Sequence, residues 1–189
     1  PAIDMQIDLV EAQRRVQARV PLPRLSPDPV WLAAQQQAGR PAVRFGDIPM
    51  DWSDFRLTLR QTADILQRHD SLERRDYDTV LALTREGNTL EALVTTWYAA
   101  TSGVDAAPPP PRLPPGMPES LDQVLVLAIR PFLARCAEAL LQRPEFSRWS
   151  HGHCPVCGWE PDFAVVSSSG DRKLVCGRCA MQWSFGALT

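Results

Sequence analysis

The sequence of 189 residues is short of the features that tie a chain to nucleic acid, membrane or phosphate chemistry. Lys and Arg number 20 against 22 Asp and Glu, a net charge of -2. A protein held to nucleic acid mainly through phosphate contacts is normally basic, so nucleic acid is not an expected partner. The longest unbroken apolar run near the middle covers residues 124–129, whereas a membrane span needs about 20 residues. The first residues, PAIDMQIDLVEAQRR, carry acids early and lack the apolar core of a secretory leader. Lysine is almost missing: Lys173 stands beside 19 Arg, which we read as codon bias. There is no Gly-rich phosphate loop, no GxSxG and no HExxH. Glu86, Glu91 and Glu160 are too scattered to form a catalytic pair. The expectation is a protein that is not an enzyme.

What is present is ordinary globular material with one unusual end. Apolar residues make up 44% and charged residues 22%, and the length suits one domain with a small appendage or two small domains. Residues 1–148 read as a helical domain. Ile3, Ile7, Val10, Val16 and Val20 have roughly helical spacing before Pro21 and Pro23. A short helix follows, with Ser26 as its expected cap, Pro27 in its first turn and Gly39 at its end. Residues 51–69 form the clearest helix, with Trp52, Phe55, Leu59, Ala63 and Leu66 on one stripe and His69 placed as a charge at its C-terminus. Residues 72–84 and 88–100 add two more.

Residues 108–118, PPPPRLPPGMP, hold seven Pro in eleven and read as an extended, stiff connector within the helical domain. Helix resumes over 119–143. Ser120 and Gln123 have capping-box spacing, and Pro131 is expected to impose a kink or split the segment in two. Cys136 falls on the apolar face as a small buried hydrophobe.

Residues 149–189 change character. Strand-like runs at 163–167, 172–175 and 182–185 surround the turn signal Ser169-Gly170-Asp171. The chemistry sits here. Cys154-Pro155-Val156-Cys157-Gly158 and Cys176-Gly177-Arg178-Cys179 are two C-x2-C knuckles, and 18 residues separate Cys157 from Cys176. That gap suffices for two strands and a turn to bring the knuckles face to face, so that four sulfurs surround one ion tetrahedrally. The expected cofactor is one tetrahedral four-Cys metal ion, iron or zinc. His151 and His153 precede the first knuckle, where one could replace a Cys as ligand or donate to a sulfur. The fold class is therefore mainly α with a small β metal-binding module, a helical N-terminal domain followed by a rubredoxin-like or zinc-ribbon knuckle pair. So small a β unit has little core of its own. Cys157→Ser is expected to unfold it and leave the helical signal standing.

The residues Arg130-Pro131-Phe132-Leu133, Trp149, Cys154-Pro155-Val156-Cys157-Gly158, Pro161, Leu174, Cys176-Gly177-Arg178-Cys179 and Trp183 resemble the formate dehydrogenase accessory protein family (FdhE). The resemblance covers residues 119–189. It implies a helical domain followed by rubredoxin-like modules, and a cytoplasmic maturation factor. Its implied partner is the catalytic subunit of a molybdenum- or tungsten-dependent formate dehydrogenase. By the resemblance, Cys154, Cys157, Cys176 and Cys179 are the ligands of the first module. Typical members carry four C-x2-C pairs where this chain has two, so the second module is missing here by nature or by truncation. Two other functions share the cage: a zinc-ribbon module for nucleic acid or protein interaction, and a rubredoxin-like electron carrier or redox sensor. Against nucleic acid, Arg172, Lys173 and Arg178 are balanced by Glu160, Asp162 and Asp171, and four thiolates with a divalent ion add about two negative charges.

Overall fold

In the computed structural model, residues 2–102, 113–141, 143, 146 and 149–184 are described. Among them, six helices precede three strands. These are α1 (Ala2–Gln17), α2 (Pro29–Gln37), α3 (Trp52–Arg68), α4 (Arg74–Leu83), α5 (Gly87–Ser102) and α6 (Ser120–Leu140), then β1 (Phe163–Val166), β2 (Arg172–Val175) and β3 (Gln182–Ser184). The expected mainly helical chain with a small β unit is what forms. None of the described helices is long and apolar enough to cross a membrane.

α3 is the central helix, and α1, α4 and α6 pack on it. The Asp51 carboxylate accepts the N–H groups of Ser53 and Asp54 at its start. Those backbone donors hold Asp51 below the usual carboxylate range. Phe55, Leu59, Ala63 and Leu66 are buried as their spacing requires. His69 closes the helix, and its Nε2 lies 2.9 Å from Asp8 Oδ2 of α1. It bridges α3 and α1.

α1 buries a different face from the one its isoleucines suggest. Leu9, Gln13 and Val16 point inward, while Ile3, Ile7 and Val10 remain 75%, 51% and 37% exposed. Two stripes of similar spacing compete, and the one containing Gln13 wins. The reason lies in α6, which runs through Pro131 as one helix rather than two. Proline has no N–H to give the carbonyl one turn back. That carbonyl belongs to Leu127, and Gln13 Nε2 donates to it at 3.0 Å. A side chain of α1 thus replaces the missing backbone donor of α6.

Three terminal details differ from expectation. α2 is capped by Asp28 with Pro29 following, two residues later than Ser26 and Pro27. The Asp28 carboxylate accepts from Val30 N and Trp31 N at 2.8 and 3.0 Å, a stronger acceptor than a serine hydroxyl. Ser120 does not cap α6. Its hydroxyl donates to Asp76 Oδ2 at 2.6 Å instead, tying α6 to α4. The connector lies partly outside the described residues, at 108–112. Its second half is a turn, with Met117 N donating to Pro114 O and Gly116 at φ +89°, because Leu113 and Met117 pack back onto the core.

The strands form one antiparallel sheet in the order β1-β2-β3, with Phe163 opposite Val175 and Leu174 opposite Trp183. Gly170 takes φ +86° in the turn between β1 and β2. The last residue of the third expected run, Phe185, lies outside the described residues.

Replacing Gln13 by Leu keeps the volume and leaves the Leu127 carbonyl unpaired. It should lower the urea-unfolding free energy by about 1–2 kcal/mol, whereas Ile7→Gln on the exposed face of the same helix should change it by less than about 0.5 kcal/mol.

Candidate metal centre

The two knuckles are built alike. In the first, Gly158 N donates to Cys154 O at 2.9 Å and Cys154 N to Trp159 O at 2.8 Å. In the second, Ala180 N donates to Cys176 O at 2.8 Å and Cys176 N to Met181 O at 3.0 Å. Each turn needs a residue in the left-handed region just after its second cysteine. Gly158 takes it at φ +75°, and Ala180 takes it at φ +61° despite its Cβ. The second turn is also pinned by Asp162, which accepts Gly177 N at 2.6 Å. A Cβ on Gly177 would lie 2.5 Å from that carboxylate.

β1 and β2 carry the chain from one knuckle to the other, and the expected convergence occurs. The Sγ atoms of Cys154, Cys157, Cys176 and Cys179 all lie within 4.8 Å of one another, and all four residues are buried. Cys154 to Cys179 is 3.4 Å, Cys157 to Cys176 is 3.6 Å and Cys157 to Cys179 is 3.7 Å. These separations exceed a disulfide bond, about 2.05 Å, and all four cysteines are free. They approach the edge of about 3.8 Å expected when four sulfurs sit about 2.3 Å from one zinc. Donor type, number and spacing fit a tetrahedral metal ion.

Burial pushes the thiols of Cys154 and Cys179 well up. The hydrogen bonds of the other three thiols hold Cys176 down. Four thiolates at this spacing would need a cation to balance them, and a divalent ion supplies that charge. Burial pushes Cys136 up to about 12, and its Sγ lies 4.0 Å from Asp47 O. It is an inert core thiol, as its helical position suggested.

Neither histidine is placed on a sulfur. His151 Nε2 donates to Gln36 O at 2.9 Å and His153 Nε2 to Gly39 O at 2.6 Å. Both rings therefore satisfy carbonyls at the end of α2, and Trp149 stacks edge-on against each. Gly39, at φ +65°, is needed twice here. Its backbone turns the helix end, and a Cβ would meet the His151 ring at 3.0 Å.

The residue that sequence reasoning missed is Arg178. It lies between the cysteines of the second knuckle and is fully buried. Its guanidinium stacks over Trp97 at 4.5 Å, Tyr98 at 4.7 Å and Trp159 at 4.8 Å. Nη1 donates to Thr101 Oγ1 at 3.0 Å, while Nε and Nη2 have no hydrogen-bond partner among the described residues. Three of the four contacts come from α5. The first knuckle is clamped too, because Ala42 N and Val43 N donate to Pro155 O and Val156 O at 2.9 and 3.0 Å. Tyr98 in turn donates its hydroxyl to Val43 O. The buried residues of helices and knuckles form one continuous cluster. The knuckles and the helices share packing at this junction. No signal in the sequence marked this, since Trp97 reads simply as part of a helical stripe.

Compared with known proteins, the chain matches no family model, no curated protein and no solved structure.

Two results should follow. Stripping the metal with a chelator, or making Cys157→Ser, should lower the midpoint of a single thermal transition and remove helical circular dichroism as well as the β unit. Ala180→Gly should raise stability by about 0.5–1 kcal/mol in denaturant unfolding, because relief of the left-handed strain exceeds the added chain entropy.

Proposed function

We propose that this chain is a formate dehydrogenase accessory protein: a non-catalytic maturation factor that binds the catalytic subunit of a molybdenum- or tungsten-dependent formate dehydrogenase in the cytoplasm. The observation that carries this reading is the four-thiol cage built into the helical body. Most of the residues that carry the family resemblance are buried. Phe132 and Leu133 are fully buried in α6, and Trp149, Leu174 and Trp183 are buried beside the knuckles. A four-thiolate site leaves no open position for substrate. The ion therefore acts as a clip or as a one-electron centre, and recognition falls to the protein surface.

The identity of the ion, iron or zinc, decides whether a redox role accompanies binding. Burial of all four sulfurs favours a clip over a freely exchanging electron carrier. The test is affinity purification of tagged protein from cells grown on formate, with metal analysis of the same sample. The expected result is about one thiolate-bound metal per chain and retention of the formate dehydrogenase catalytic subunit. Absence of that subunit, together with unchanged formate oxidation in a deletion strain, contradicts the proposal. A colourless zinc protein excludes the electron-carrier function, whereas bound iron with reversible one-electron reduction supports it.

A further inference from the structure

The exposed face of α1 leads into a groove that borders the cage. Ile3, Ile7 and Val10 form an apolar stripe left open to solvent. Val10 and Arg14 belong both to that stripe's surface and to a groove of about 540 Å³. Across it stand Arg130 and Ala134 of α6, with Cys179 and Ala180 of the second knuckle at one end.

The charges of this face are uneven in a way that selects an occupant. The nearby acids are already engaged: Glu11 pairs with Arg15, and Glu138 pairs with Arg135. The Arg14 and Arg130 side chains have neither an ion-pair nor a hydrogen-bond partner among the described residues. The free charge beside the apolar stripe is therefore positive. An apolar row flanked by unpaired guanidinium groups complements a segment with apolar residues on one side and carboxylates on the other.

We infer that this face is the docking surface for an acidic, amphipathic segment of a protein partner. The segment's apolar side chains cover Ile3, Ile7 and Val10, and its carboxylates reach Arg14 and Arg130. The partner's identity as the formate dehydrogenase catalytic subunit rests on the function proposed above; the chemistry of the surface does not. The strained Ala180 turn and Cys179 border the groove, so the occupant also covers one approach to the cage. Docking and metal retention are thereby coupled.

The test uses the full metal-loaded chain and three variants. Ile7→Asp and Arg14→Glu lie on exposed positions and should leave the fold unchanged. Arg130→Glu adds the second charge, and circular dichroism checks its fold. Two probes are applied to each protein: the formate dehydrogenase catalytic subunit, and a phage-displayed library of random 12-residue peptides. The expected result is that wild type retains the subunit and enriches peptides combining Asp or Glu with large apolar residues. Ile7→Asp and Arg14→Glu should each weaken both at least tenfold. A selected peptide should slow chelator-driven metal loss from wild type several-fold and leave that of Arg14→Glu unchanged.

Retention of the subunit at wild-type strength by the folded Ile7→Asp and Arg14→Glu variants overturns the docking surface while leaving the maturation function standing. If wild type retains no subunit, the maturation function fails, and the peptide arm alone decides the surface. Acidic-apolar enrichment lost in the variants then supports it, and absent or variant-insensitive enrichment overturns it. Sedimentation showing a dimer that Ile7→Asp dissociates assigns the face to a second copy of this chain and also overturns the proposal.

Discussion

A cation with no carboxylate partner among the described residues sits where the helices meet the knuckles. Arg178 is fully buried and enclosed by Trp97, Tyr98 and Trp159. Such a charge is costly to bury, and ring faces offset part of that cost. Its place inside the second knuckle would add a further compensation with an ion bound. Four thiolates around a divalent ion carry about two negative charges, and Arg178 brings one positive charge to the same four-residue turn. The aromatic box anchors the second knuckle, and with it the four-thiol cage, to α5.

The helical body is organised to hold that anchor still. α5 carries three of the groups around Arg178, and its Tyr98 also binds Val43 O in the segment that clamps the first knuckle. The end of α2 meets His151 and His153. α6 reaches the same region and stays continuous through Pro131 because Gln13 supplies the donor that proline lacks. A three-stranded sheet whose first strand is exposed along its whole length has too little core to stand alone. It borrows one from the helices.

Much of this was legible in the sequence because it is local. The helix over residues 52–68 and its buried stripe follow from spacing. The convergence of the four cysteines follows from two knuckles and a gap long enough for a hairpin. What was not legible depends on partners far apart in the chain. The choice between the two apolar stripes of α1 turns on a carbonyl in α6 that is 114 positions from Gln13. Ser120 leaves its expected cap because Asp76 of α4 lies within reach. Arg178 looks like a solvated charge until α5 folds over it. In each case a polar group was claimed by tertiary packing, and local pattern carries no record of that claim.

The central claim is that four thiolates, and no other donors, hold one ion inside this shared core. X-ray absorption at the metal edge of the purified, metal-loaded chain tests it most directly. The account predicts a shell of four sulfurs at a single distance, about 2.3 Å for zinc, with no nitrogen or oxygen in it. A shell containing nitrogen would put His151 or His153 on the metal and break their bonds to α2, and a shell of fewer than four sulfurs would contradict the cage itself.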